Sequence, residues 1–136
     1  MQKEVLVNNL NYHYGLLHFA YILVNVDGVI DEREREMMHL ICQEEEISEE
    51  VYQEFLRTVS SKTERQIFEE GLRLLNMCTH EEKTAAVVHL FRLSEADDNI
   101  HRKELKLLFY SLDLMDVEFD DVELSVRMAN SRAGQK

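Results

Sequence analysis

The sequence predicts an all-α domain. Three observations lead there: apolar residues recur at the three- and four-residue spacing of a helix along most of the chain, no run alternates apolar and polar residues long enough to make a convincing strand, and proline is absent. An average chain of this size would hold about seven prolines, so helix continues wherever the pattern supports it. About seven helices are expected, in a compact bundle with an internal pseudo-twofold duplication.

Leu16, Leu17, Phe19, Ala20, Leu23 and Val24 set the first stripe, which halts at Asp27-Gly28, where glycine can take the backbone angles of a tight turn. Asp31 can cap the second helix while Glu34 reaches back, and the stripe runs on through Met37, Met38, Leu40 and Ile41. Ser48 starts a short helix carrying Val51, Tyr52, Phe55 and Leu56. Ser61 with Glu64 reads as a capping box for a helix through Ile67, Phe68, Leu72, Leu75 and Met77, and Thr79 with Glu82 repeats the device. The helix after Thr79 carries Ala85, Val88, Leu90, Phe91 and Leu93; two more are expected from His101 to Leu112 and from Val117 to Met128.

Two of these helix junctions match. Asp27 and Asp97 stand seventy residues apart, and at the same offset Leu23 meets Leu93, Ile30 meets Ile100 and Glu34 meets Glu104. Tyr21 against Phe91, Met37 against Leu107 and Met38 against Leu108 agree in apolar class. Such self-similarity indicates an internal duplication, with halves at about 14–60 and 84–130 inside one domain spanning 1–136. Each half leaves an apolar stripe that its copy can cover, and a twofold arrangement would draw the two acidic turns together.

Composition limits the partners. Fifteen Lys and Arg against twenty-seven Asp and Glu give a formal net charge of -12, which repels nucleic-acid phosphates and anionic membranes and favours cations and basic protein surfaces. The two cysteines, Cys42 and Cys78, do not make a secreted disulfide framework and are expected reduced and buried. No stretch approaches the roughly 20 apolar residues of a spanning helix, and the opening residues do not read as a signal peptide. A cytosolic protein without direct membrane insertion is expected.

A calcium EF-hand places Gly28 at its sixth position and Glu34 at its twelfth, but its first ligand then falls on Leu23, and on Leu93 in the second copy, where no oxygen is available. A shared site remains open. Asp27, Asp31, Glu34, Asp97, Asp98 and Glu104 are oxygen donors suited to calcium, magnesium or manganese if both turns face one space. Plain capping and turn roles compete, most strongly for Asp31, whereas Asp27 and Glu34 gain weight because they recur.

Other metal sets are poorer. Glu36 and His39 have di-iron spacing, but Lys106 and Phe109 stand where the second set would be. His39, Cys42, Cys78 and His80 lack a usual zinc spacing, and core or surface roles explain them. His18 and His89, on mostly apolar helices, read as packed, hydrogen-bonded residues. The acidic run from Gln43 to Glu50 reads as a solvated helix end and the start of the next helix. No phosphate loop, His-Glu-x-x-His helix or nucleophile elbow is present, which argues against an enzyme. The enzymatic alternative is a metal-dependent hydrolase using the same carboxylates.

The string Ala20-Tyr21-Ile22-Leu23-Val24-Asn25-Val26-Asp27-Gly28-Val29-Ile30-Asp31-Glu32-Arg33-Glu34 resembles the hallmark of TerB-like domains, the tellurite-resistance family shared with the N-terminal region of the DjlA co-chaperones. The similarity runs from about Tyr14 to Leu112, with a weaker second copy at Asp97 to Glu104. The resemblance implies a bacterial, helical, internally duplicated and non-catalytic domain that acts in stress-response or membrane-associated assemblies. It further implies a cation-binding cluster at Asp27, Asp31, Glu34, Asp97 and Glu104. The second copy departs from the pattern, with Asp98 in place of glycine and His101 opposite Asp31, which weakens that half as a ligand set.

Overall fold

The computed structural model describes residues 2–24, 32–96, 106, 110, 113–118 and 120, with the backbone alone for 2–9, 33–34 and 94–96. Five helices lie among the described residues: α1 (Gln2–Val24), α2 (Glu32–Glu44), α3 (Glu49–Val59), α4 (Glu64–Asn76) and α5 (His80–Ala96). No strand occurs among them, so the all-α class holds. Most of the two expected C-terminal helices lies outside the described residues. Positions 113–115 are helical, and Met115 and Val117 are buried.

α1 is the axis of the bundle and packs against each of the other four helices, most extensively against α4. Its sequence explains this position. From Tyr12 onward it buries Leu16, Leu17, Phe19, Ala20, Ile22, Leu23 and Val24, too wide an apolar surface for a helix with one wet face. It also begins at Gln2, well before the stripe at Leu16, because nothing in the preceding segment breaks a helix. α3 and α4, by contrast, are amphipathic and bury one stripe each: Tyr52, Phe55 and Val59, and Ile67, Leu74 and Leu75.

Two glycines set the α1–α4 contact. A β-carbon on Gly15 would lie 2.7 Å from Leu75 Cγ and 3.3 Å from the Leu75 amide nitrogen, and one on Gly71 would lie 2.9 Å from His18 Cβ and 3.2 Å from the Phe19 ring. Each helix thus presents a bare backbone patch to a large residue of the other. Gly71→Ala should add about 1–3 kcal/mol of overpacking against roughly 1 kcal/mol gained in helix propensity. Urea unfolding should show a net loss; a gain in stability would disprove the close approach.

The helix starts are local. Ser48 accepts from the Val51 amide at the start of α3, and Thr79 and Glu82 exchange bonds across the first turn of α5 as the sequence predicts. α4 differs: its capping box is Thr63 with Gln66, not Ser61 with Glu64. Ser61 lies in the turn that closes α3, where the Lys62 amide still donates to the Val59 carbonyl, so a helix cannot begin there. Met77, expected in the core, is 57% exposed because α4 ends at Asn76 and Met77 is its C-cap.

Burial in α1 and α5 can be compared at an offset of seventy. Leu16, Leu17, Ala20 and Leu23 of α1 and, seventy residues later, Ala86, Val87, Leu90 and Leu93 of α5 are all buried. Tyr21 and Phe91 are both half-buried against that core.

Candidate functional site

Of the residues expected to ligate a cation, Asp27, Asp31, Asp97 and Glu104 lie outside the described residues, as do Asp98 and His101. Glu34 sits in the first turn of α2, and its side chain is likewise outside them. The described helices run up to these turns, with α1 ending at Val24, α2 starting at Glu32 and α5 ending at Ala96. α1 and α5 pack directly on one another.

His39, Cys42, Cys78 and His80 are not brought together: among the described residues, no group of three or more His, Cys, Asp or Glu is placed to hold a metal ion. Both cysteines are free thiols. Burial pushes Cys42 up to about 11 and Cys78 up to about 11, so neither supplies a thiolate at neutral pH.

The structure does build a polar joint that the sequence hides. α2 ends in a Schellman turn, in which the Ile47 amide donates to the Cys42 carbonyl at 2.8 Å and the Glu46 amide to the Gln43 carbonyl at 3.3 Å. Glu46 takes the left-handed conformation (φ 56°) that glycine usually fills there, and Ile47 is buried beyond it. This turn points Glu45 back into the bundle. Its carboxylate accepts the Tyr12 hydroxyl from α1 and lies 2.7 Å from His89 Nε2 on α5. One residue earlier, Glu44 pairs with Arg92 at 3.0 Å.

The C-terminal end of α2 is thereby tied to α1 and α5 together. Burial alone would raise the Glu45 carboxyl, but the bonds from His89 and Tyr12 outweigh it and hold the group below its ordinary range. Burial and the same carboxylate raise the Tyr12 hydroxyl, which stays protonated. Because Glu46 carries a β-carbon in a left-handed position, Glu46→Gly should stabilise the protein by about 1 kcal/mol. Thermal unfolding would check this, and a lower melting temperature would contradict it.

Beside the joint opens a cleft of about 600 Å³, bounded by α1, the α2–α3 turn and the first turns of α5. Leu10, Val51 and Ala85 give it apolar walls, with Tyr12 and His13 on the α1 side. Four carboxylates line it, from Glu45, Glu46, Glu81 and Glu82, and no Lys or Arg does among the described residues. Two of the four are engaged: Glu45 in the joint, Glu82 in its capping box. Nothing in the local pattern signals the cleft, because its parts come from three distant segments.

His18 is as expected a core residue, 2% exposed. Its Nδ1 lies 2.5 Å from the Tyr14 carbonyl, so Nδ1 carries the proton and Nε2 a lone pair, which has no partner among the described residues. Burial outweighs that backbone bond and lowers the imidazole below its ordinary 6.5, with Lys62, Glu70 and Arg73 as lesser influences. His13 is lowered for the same first reason. A base held neutral in the folded state contributes stability that is full above pH 6.5 and lost as pH falls toward the folded value. Stability should therefore decline below pH 6.5 by up to about 1.4 kcal/mol per pH unit per histidine. His18→Leu should flatten part of that slope in urea melts at pH 7.5 and 5.5; an unchanged slope would contradict the assignment.

No helix among the described residues is long and apolar enough to cross a membrane. What stands is an acidic, all-helical domain built around one buried helix. Residues 14–125 match the family model described as tellurite resistance protein TerB, and the chain belongs to that family. Neither the curated proteins nor the solved structures give a match.

Proposed function

We propose that this TerB domain works by binding and not by catalysis. The turns carrying Asp27, Asp31 and Glu34 and carrying Asp97 and Glu104 take a divalent cation, calcium, magnesium or manganese, or a basic surface of a protein partner. The domain spans 1–136 as two related halves, 14–60 and 84–130, and serves stress-response assemblies in the bacterial cytosol. Nucleic acid is not a partner, in keeping with a net charge of -12.

The observation that most supports this reading is the similar burial of two helices that pack on one another. The helices entering the two acidic turns bury the same positions at an offset of seventy and lie against each other. The repeated carboxylates follow directly on these two helices in sequence, and a hard cation needs several oxygens, six or more in calcium's case.

Calorimetry with calcium, magnesium and manganese tests it, on the native chain and on the Asp27→Asn, Glu34→Gln double variant. Saturable heat is expected from the native chain, with a rise in unfolding free energy of about 2.7 kcal/mol at a hundredfold excess over Kd. The double variant should lose both. Absence of heat and of any melting shift in the native chain would reject a cation site.

A further inference from the structure

We propose that the cleft between α1, the α2–α3 turn and the start of α5 receives a lysine or arginine side chain presented by a protein partner. None of its lining residues belongs to the proposed cation set, and the proposal does not depend on that set. The volume of about 600 Å³ falls within the range of ligand-holding clefts, roughly 300–1,000 Å³. Its chemistry is divided as a long basic side chain is divided. Leu10, Val51 and Ala85 offer apolar surface for an aliphatic stem, and Glu46 and Glu81 stand at the rim for the charged head.

Charge complementarity fixes the sign of the occupant. His89 and Arg92 of α5 already engage Glu45 and Glu44 in the joint. His13, the one basic group among the described lining residues, is kept neutral by burial at ordinary pH. Glu46 and Glu81 are exposed and have no ion-pair partner among the described residues. An incoming ammonium or guanidinium therefore meets carboxylates without displacing an existing pair. The wall behind them is fixed, because Tyr12, Glu45 and His89 hold three elements in place before anything binds.

The test is an amide NMR titration of the full chain with acetyl-lysine methylamide and acetyl-arginine methylamide, using acetyl-norleucine methylamide as the uncharged control and spermidine as a free polyamine. Saturable shifts confined to Leu10, His13, Glu46, Ser48, Val51 and Ala85 are expected with the lysine or arginine derivative and not with norleucine. Glu46→Gln with Glu81→Gln, both exposed, should weaken binding about tenfold, as loss of two surface ion pairs allows. Glu36→Gln with Glu64→Gln removes the same charge elsewhere and should leave it unchanged. Shifts spread over the whole acidic surface, saturation by spermidine alone, or equal affinity in both double variants would overturn the proposal. The cation test reads independently: Glu46→Gln with Glu81→Gln leaves any calcium heat in place, and Asp27→Asn with Glu34→Gln leaves the lysine titration in place.

Discussion

Phe55→Ala is expected to lower the unfolding free energy by about 3–5 kcal/mol, the cost of emptying a large aromatic site in a core that relaxes only in part. Phe55 is fully buried on α3 and reaches two aromatic residues of α1. Its ring meets the His18 ring edge-on, centroids 5.1 Å apart at 70°, and the Tyr21 ring at 5.7 Å and 79°. Such aromatic pairs are worth roughly 0.5–1.5 kcal/mol beyond the area they bury, so Phe55→Leu should recover only part of the loss. Against a typical stability of about 5–15 kcal/mol, the alanine variant should still fold but melt some 10–20 °C lower. Urea unfolding of the native, leucine and alanine proteins checks the order. A loss below about 1 kcal/mol for alanine would mean that α3 is not anchored through this ring.

Glu45→Leu is expected to cost about 2–4 kcal/mol, because it strips the acceptor from two inward-facing donors at once. The Tyr12 hydroxyl is buried, and the His89 side chain is 13% exposed, so water can replace little of what is lost. Glu45→Gln should cost less, since the amide oxygen still accepts from one of them. The two variants separate hydrogen bonding from charge. Acid stability separates them further: a carboxyl held below its ordinary 4.5 contributes stability that is full above that pH and lost as pH falls through the folded value. That loss lies below the histidine window that opens at 6.5. Native protein should therefore lose more stability below pH 4.5 than either variant, in which only the Glu70–Arg73 contribution of this kind remains among the described residues, and an equal loss in Glu45→Gln would deny the joint its charge.

The legibility of these features follows the range over which each is determined. Ser48 and Thr79 are readable because a cap and the amide it serves lie three residues apart. Thr63 was open to confusion with Ser61, since both stand three residues before a Glu or Gln and only the closing turn of α3 decides between them. His18 reads correctly as core from its apolar helix, but its tautomer depends on the Tyr14 carbonyl. Glu45 was hidden in a run of carboxylates, and the partners that single it out come from α1 and α5, 33 and 44 residues away. Gly15 and Gly71 look like scattered glycines until the helices that cross at them are known. The family hallmark, in contrast, is a contiguous string, and the TerB match over residues 14–125 agrees with what it implies.

The hydroxyl that Glu45 accepts belongs to Tyr12, two positions ahead of where the family match begins at residue 14. Anyone excising the domain at the family limit would cut away that donor, together with Leu10 and His13 from the mouth of the cleft. The trimmed fragment would keep its hallmark string and lose the clasp on α2, so the practical boundary of this fold is set by a phenol and not by an alignment.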